Sequence, residues 1–376
     1  MKYKIINKKK LIATILFDIV GFIFFQPFKI FKKKGGIEQD IKEILIIRTA
    51  YVGDIIMTLP ILTPLKEKFP QARISFIASK EGAELLQGNP HIDRIFRFNP
   101  FWFYKTSIKA YLLFLFKIRK ERFDLVIEAR GDIRDLLFIV FPLKSRFKLS
   151  YGFGGGRYFL SHVVPFTSIK HRIEYHLDLA RYLDCNTEDI EWKVYLTKEE
   201  EKGIVGIMQE YKIEKPFLSV HPGARVPLKM WMIERYAKLY DMIMREYRMP
   251  LLILGSREEK AIADKIITKM KNRPINLAGM ISLKEVAGIL KESALFICND
   301  SAPMHIAAAM GTPTVAVFGP SKSIETGPYK NKSRIVEKDF PCRFTCDENV
   351  CKHRVFHGCM KAITPDDVFS AVKELI

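Results

Sequence analysis

The sequence predicts an α/β protein of two Rossmann-like, doubly wound domains facing a central cleft, preceded by one separate apolar helix. Three observations carry that expectation. Short apolar runs without alternation recur between helical stretches, as parallel strands buried on both faces require. Most of these runs end in Gly, Pro or Asp, so their carboxyl-terminal loops gather on one sheet edge, where α/β folds bind ligands. A charged, turn-prone stretch around 191–216 separates two such series in a chain of 376 residues, long enough for two cores.

Residues 1–42 stand apart. They carry ten lysines against Asp18, Glu38 and Asp40, a local 10 − 3 = +7. Between the lysine clusters lies LIATILFDIVGFIFF (11–25), followed by Gln26-Pro27. The run falls short of the roughly 20 apolar residues a spanning helix needs. On a helical wheel Thr14, Asp18, Gly21 and Lys29 form one narrow stripe opposite a broad apolar face. This pattern suits a helix lying in a membrane interface with its lysines on anionic headgroups. A marginal span and a cleaved signal peptide are the alternatives. Against the latter, Lys32-Lys33-Lys34 stands where small residues should mark a cleavage site.

The first domain is expected over 43–195. EILIIRTAYVGD (43–54) reads as a buried strand running into a tight turn at Gly53, with a helix from about Ile55 to before Pro70. RISFIA (73–78) is a strand, Lys80 to Gln87 a helix, and Arg94–Phe98 and DLVIEAR (124–130) further strands. FWFYKTSIKAYLLFLFKIRKER (101–122) mixes aromatic, aliphatic and basic residues. It is either a core helix with a basic outer face or a segment dipping into a bilayer. YGFGGGR (151–157) lacks a bracketing buried strand and helix, and reads as a plain turn or a loop closing over a substrate.

The second domain is expected over 196–360. PFLSVHPG (216–223), MPLLILG (249–255), PINLAG (274–279), ALFICND (294–300) and TPTVAVFGP (312–320) are its strands. Residues 361–376 form a closing helix after Pro365, expected to pack back on the first domain. Four of the six cysteines, Cys342, Cys346, Cys351 and Cys359, crowd the tail, with Cys185 and Cys298 apart. Their spacing matches no standard zinc pattern, so thiols, structural or redox-paired, are expected rather than a metal.

Composition narrows the partners. The balance 61 − 42 = +19 calls for a polyanion: nucleic acid, an anionic membrane or a phosphorylated substrate. No base-stacking motif or nucleic-acid reading module is present, and the basic residues cluster beside an apolar segment, which argues against nucleic acid. The absence of GxGxxG after the first strand disfavours a dinucleotide-dependent dehydrogenase.

VGDIIMTLPILTPLKEKFP (52–70), SVHPGARVPLKMWMIERYAKL (219–239) and NLAGMISLKEVAGILKESALFICNDSAPMHIAAAMGTPTVAVFGP (276–320) together resemble the bacterial ADP-heptose:lipopolysaccharide heptosyltransferases, glycosyltransferase family 9. The resemblance runs from about residue 43 to the C-terminus. It implies a GT-B fold, an inverting mechanism without a metal or other cofactor, and heptose transfer from ADP-heptose to a lipopolysaccharide inner core. The chain would then work at the cytoplasmic face of the inner membrane.

The implied roles make chemical sense. Asp54 matches the family's proposed base, which takes the acceptor hydroxyl proton as that oxygen attacks the anomeric carbon; as a bare residue it could equally cap a helix. Lys229, in HPG-x5-K-x-W, corresponds to the lysine contacting the leaving diphosphate, with Arg225 as a second cation. Ser301 and neighbouring N–H groups would sit at a helix N-terminus, a ready phosphate site. Ala302 stands where relatives carry Gly. Asp300 resembles the residue holding sugar hydroxyls. His305 and His221 complete the donor set, His305 being equally readable as a buried structural histidine. Arg130, Asp132, Arg134 and Arg157 are the acceptor candidates, their cations suited to inner-core phosphates and carboxylates. The competing readings are a family member using another nucleotide sugar, an epimerase of the same fold, and a non-catalytic scaffold binding membranes or polyanions.

Overall fold

The computed structural model describes residues 3, 8–30, 37, 40–343, 346 and 348–376. The chain divides into two compact units, Met1–Trp192 and Lys193–Ile376. The segment expected to connect them contributes a helix, Lys198–Glu210, started by a capping box between Thr197 and Glu200.

The first unit holds six parallel strands: β1 (Glu43–Arg48), β2 (Arg73–Ala78), β3 (Arg94–Arg97), β4 (Phe123–Glu128), β5 (Ser145–Tyr151) and β6 (His162–Val164), ordered β3-β2-β1-β4-β5-β6. The first four follow the apolar runs closely. β5 and β6 escaped sequence reading because Arg146 and Lys148 interrupt SRFKLSY, whose apolar residues still turn inward. In the second unit β7 (Leu218–His221), β8 (Leu251–Ile253), β9 (Ile275–Asn276), β10 (Leu295–Asn299), β11 (Thr314–Val317) and β12 (Ser333–Val336) are ordered β12-β11-β10-β7-β8-β9. Every pairing in both sheets is parallel, so crossover segments must cover the faces. Strand order reverses between β1 and β4 in the first sheet and between β7 and β10 in the second. The loops beyond those four strands are where this topology opens a ligand crevice.

The N-terminal helix, Lys8–Ile30, reverses one expectation. Thr14, Asp18 and Gly21 of its polar stripe face the protein itself. Asp18 is buried and accepts hydrogen bonds from the Gly156 amide (2.8 Å) and the Tyr3 hydroxyl (2.7 Å). Gly21 lies against the Tyr158 ring, and Phe22 and Phe25 join the first unit's core. The glycines of YGFGGGR therefore receive this helix: a Cβ on Gly155 would strike Thr14, and Gly155 and Gly156 both have positive φ. A buried strand, β5, does lead into that loop, and nothing in its packing marks it as a substrate lid. Outward, Ile12, Leu16, Phe17, Ile19, Val20, Ile23 and Phe24 are exposed. Among the described residues no helix is long and apolar enough to cross a membrane. Lys32–Lys34 lie outside the described residues.

The helix Ile108–Ile118 is a core helix along one face, and its outer face carries more apolar residues than the basic face expected. Tyr111, Phe114 and Leu115 pack against the core, while Ile108, Leu112, Leu113 and Phe116 are exposed. The closing helix, Pro365–Lys373, packs on the helix Ile233–Tyr247 and on β11 and β12 of the second unit. Its apolar stripe Val368, Ala371, Val372 and Leu375 matches the second unit's core, which decides its place. No two cysteines are joined in a disulfide, and among the described residues no His/Cys/Asp/Glu group is arranged to hold a metal ion.

Candidate functional site

The first unit's cluster lies beyond β1 and β4. The turn after β1 is made by Tyr51, in the left-handed region (φ 51°), rather than by Gly53. It launches the helix Val52–Ile56, which places Asp54 in the first turn, where a carboxylate suits the helix dipole. Asp54 does not cap that helix. Its Oδ1 is held by Arg48 Nη2 at 2.7 Å and Arg172 Nη1 at 3.3 Å. Burial alone would raise its pKa, but the charges of Arg48, then Arg172 and Arg130, hold it far below the usual carboxylate range.

Beside this cluster lies a second acidic group. Burial, with the charge of Asp135, pushes Glu128 at the end of β4 up to about 8. Its carboxylate accepts from Ser150 Oγ (2.7 Å) and the Gly131 amide (2.6 Å). Burial also pushes Asp135 up, to about 6, although it accepts from Trp102 Nε1 (2.9 Å) and Thr49 Oγ1 (3.1 Å). His176, buried close to Arg48, is pushed down to about 3 and stays neutral.

The acceptor candidates divide. Arg130 and Arg134 both stack on the Phe103 ring, 4.3 and 4.4 Å from its centroid. Asp132 joins them, 3.6 Å from Arg130 Nε and gripping Arg134 through Nε (2.9 Å) and Nη2 (2.8 Å). Arg157 lies elsewhere: its stem covers Gly152 and its charge acts on Tyr3, beside the docked N-terminal helix.

The second unit's cluster lies beyond β7 and β10. Lys229, in the turn Pro227–Lys229, bridges Asp300 (2.7 Å) and Glu348 (2.8 Å). Against the effect of burial, those two carboxylates raise its pKa and keep it charged. Asn299 ties the strands' ends together, donating to the carbonyls of Pro222 (2.7 Å) and Gly223 (3.2 Å) and accepting from Tyr236 OH (2.6 Å). His221 links Ser301 Oγ (Nδ1, 3.2 Å) to Glu259 (Nε2, 3.1 Å). Glu259 approaches so closely that a Cβ on Gly223 would collide with its carboxylate. Ser301 opens the helix Ala302–Ala309 without capping it through its side chain. Against the effect of burial, Lys229 above all, and to a smaller degree His305 buried on that helix, hold Asp300 ionised. Arg225 is exposed on the loop after β7.

Sequence reasoning missed Arg48, Arg172 and Glu128 in the first cluster and Glu259 and Glu348 in the second. A charged residue closing an apolar strand, as Arg48 and Glu128 do, was the available signal. Arg172, Glu259 and Glu348 arrive from distant segments, and no local pattern marks them.

With this geometry in hand, comparison with known proteins is specific. The family model for glycosyltransferase family 9 (heptosyltransferase) matches residues 114–354. The chain is 26% identical over 349 residues to lipopolysaccharide heptosyltransferase 3 of Escherichia coli K12, covering 87% of this chain and 96% of that protein. A family 9 glycosyltransferase structure from Veillonella parvula superposes with a TM-score of 0.78 at 19% identity, covering 90% and 98%. The structure of E. coli heptosyltransferase WaaC with ADP superposes with a TM-score of 0.70 at 16% identity, covering 89% and 100%.

Proposed function

The chain belongs to glycosyltransferase family 9, the heptosyltransferases, and on that premise we propose that it transfers heptose from ADP-heptose to an anionic lipopolysaccharide inner-core acceptor, with inversion at the anomeric carbon and without a metal. The observation that carries the reading is the Lys229–Asp300 pair beyond β7 and β10, next to the N-terminus of the helix Ala302–Ala309. A lysine kept charged there, with backbone N–H groups alongside, suits the charge that develops on a departing diphosphate. ADP in the WaaC structure, on the same fold, supports adenine as the donor base.

In the reaction, the acceptor oxygen bonds to the anomeric carbon while the bond to the diphosphate oxygen breaks. ADP leaves with that electron pair, and Asp54 takes the hydroxyl proton. Lys229 meets the leaving diphosphate, Asp300 orients the sugar hydroxyls and Lys229 itself, and Ser301, Ala302, His221, His305 and Arg225 line the donor side. Arg130, Asp132 and Arg134 receive the acceptor. Arg157, at the N-terminal helix, is better suited to anionic headgroups.

The exposed apolar face of the helix Lys8–Ile30, with that of Ile108–Ile118 on the same unit, supports peripheral attachment to the cytoplasmic face of the inner membrane, where a lipid-linked acceptor would be met. Titration calorimetry of ADP, UDP and GDP without added metal tests the donor assignment. ADP preference abolished in Lys229→Ala supports it. UDP or GDP preference discards ADP-heptose, and binding of none discards the donor site.

A further inference from the structure

Asp54 poses a chemical conflict. A base works best when its pKa lies near the operating pH, yet two guanidiniums bind one oxygen of this carboxylate. The groups facing it are Arg48 on β1, Arg130 beyond β4, and Arg172 and His176 on the helix Arg172–Arg181, with Glu128 behind Arg48. Three cations face this carboxylate, Arg130 among them also pairing with a second anion, Asp132 at 3.6 Å, so positive charge predominates here and suits a further anion.

The two arginines holding Asp54 are not equivalent. Arg48 is 3% exposed and makes the shorter contact; it is built into the end of the central strand. Arg172 is 43% exposed, contacts the same oxygen at 3.3 Å, and sits at the start of its helix, where solvent reaches its side chain. Arg48 Nε and Nη1 and Arg130 Nη1 are buried and find no hydrogen-bond partner among the described residues. Buried unmatched guanidinium donors are rare and mark a place for a missing acceptor of hydrogen bonds.

We propose that Arg172 is a substrate-operated latch on the base: it holds Asp54 in the free protein and releases it when an anionic group of the acceptor, a carboxylate or phosphate, draws its guanidinium away. This rests on the transferase reading above and deepens it. Release leaves Asp54 with Arg48 alone in contact, and the anion beside Arg172 and Arg130 offsets the remaining positive charge. The carboxylate then takes the hydroxyl proton more readily, in the same step as before. An uncharged acceptor would leave the latch closed. Arg172 is thus a positioning residue that makes transfer conditional on acceptor charge.

The test uses full-length protein, a deacylated inner-core oligosaccharide, and the same oligosaccharide dephosphorylated and carboxyl-reduced. The Asp54 carboxyl is followed by carbon-13 NMR titration in wild type and Arg172→Gln, and transfer to both acceptors is measured across pH. Removing one adjacent cation should move the Asp54 titration upward by about 1–3 pH units, and the anionic oligosaccharide should move it the same way in wild type. Arg172→Gln should raise KM for the anionic acceptor about tenfold, raise kcat on the stripped one, and shift the acid limb upward. Arg172→Lys should restore part of the preference. An Asp54 titration unmoved by both variant and oligosaccharide overturns the latch, as does an equal loss of activity on both acceptors. A titration that moves as described in a protein transferring no heptose keeps the latch and discards the transferase reading.

Discussion

Replacing Lys229 by Met separates the ion pairing this ammonium makes from the role proposed for it on the leaving diphosphate. Its Nζ lies 2.7 Å from Asp300 Oδ2, and Asp300 is only 6% exposed. Deleting the lysine strands a buried carboxylate, a loss of about 3 kcal/mol when one partner of a buried pair is removed. The second bridge, to the more exposed Glu348, adds about 0–1 kcal/mol. For a unit of this size, a loss of about 3 kcal/mol lowers Tm by roughly 6–12 °C. The stranded Asp300 also acquires a raised pKa, so the folded variant holds a proton that the unfolded chain releases. Its instability should therefore shrink as pH falls through that raised pKa and grow at neutral pH. The catalytic loss is separate. One cation removed from a departing diphosphate costs about 2–3 kcal/mol of transition-state stabilisation, roughly 30–150-fold in kcat. Adding Asp300→Asn removes the stranded charge, so the double variant should recover most of the Tm and none of the kcat. Thermal denaturation against pH, together with steady-state transfer kinetics, reads both. A double variant as unstable as Lys229→Met, or a Lys229→Met enzyme with wild-type kcat, would refute the reasoning.

Asp18→Ala removes the acceptor for the buried Gly156 amide and for Tyr3, which should weaken docking of the N-terminal helix by about 2–4 kcal/mol; faster hydrogen exchange confined to residues 8–30 and 151–160 is the expected signature. Ile23→Asp with Phe24→Asp places charges on the exposed face alone, so binding to anionic phospholipid vesicles should fall at least tenfold with Tm unchanged. Glu128, pushed up to about 8, carries its proton when folded and loses it when unfolded above about 4.3. Its contribution to stability is complete below that unfolded value and is lost as pH rises to about 8. Glu128→Gln should therefore flatten the pH dependence of stability between about 4 and 8, seen in urea unfolding at stepped pH.

What the sequence determined by itself was the repeated unit. A strand buried on both faces must be a short unbroken apolar run, so RISFIA and ALFICND announce themselves. Position just beyond such strands put Asp54 and Asp300 at the edge where α/β folds bind ligands, whereas the roles expected of them and of Lys229 came from the resemblance to family 9. Strands with lysine and arginine on one side, such as β5, lack that signal, and so did the helix hidden in the charged connection. The N-terminal helix shows the limit clearly. Its narrow polar stripe was legible, but which side meets water, lipid or protein depends on what lies opposite. Only the fold supplies the Gly156 amide that turns Asp18 inward and leaves the apolar residues outside. The same holds for the closing helix, whose amphipathic pattern names a buried face without naming the core it enters. It holds most strongly for Arg48 and Arg172. Their meeting on one carboxylate oxygen joins residues 48, 54 and 172. Local periodicity reports only neighbours along the chain, whereas the protonation of a buried acid is decided by charges that only tertiary packing brings within a few ångströms.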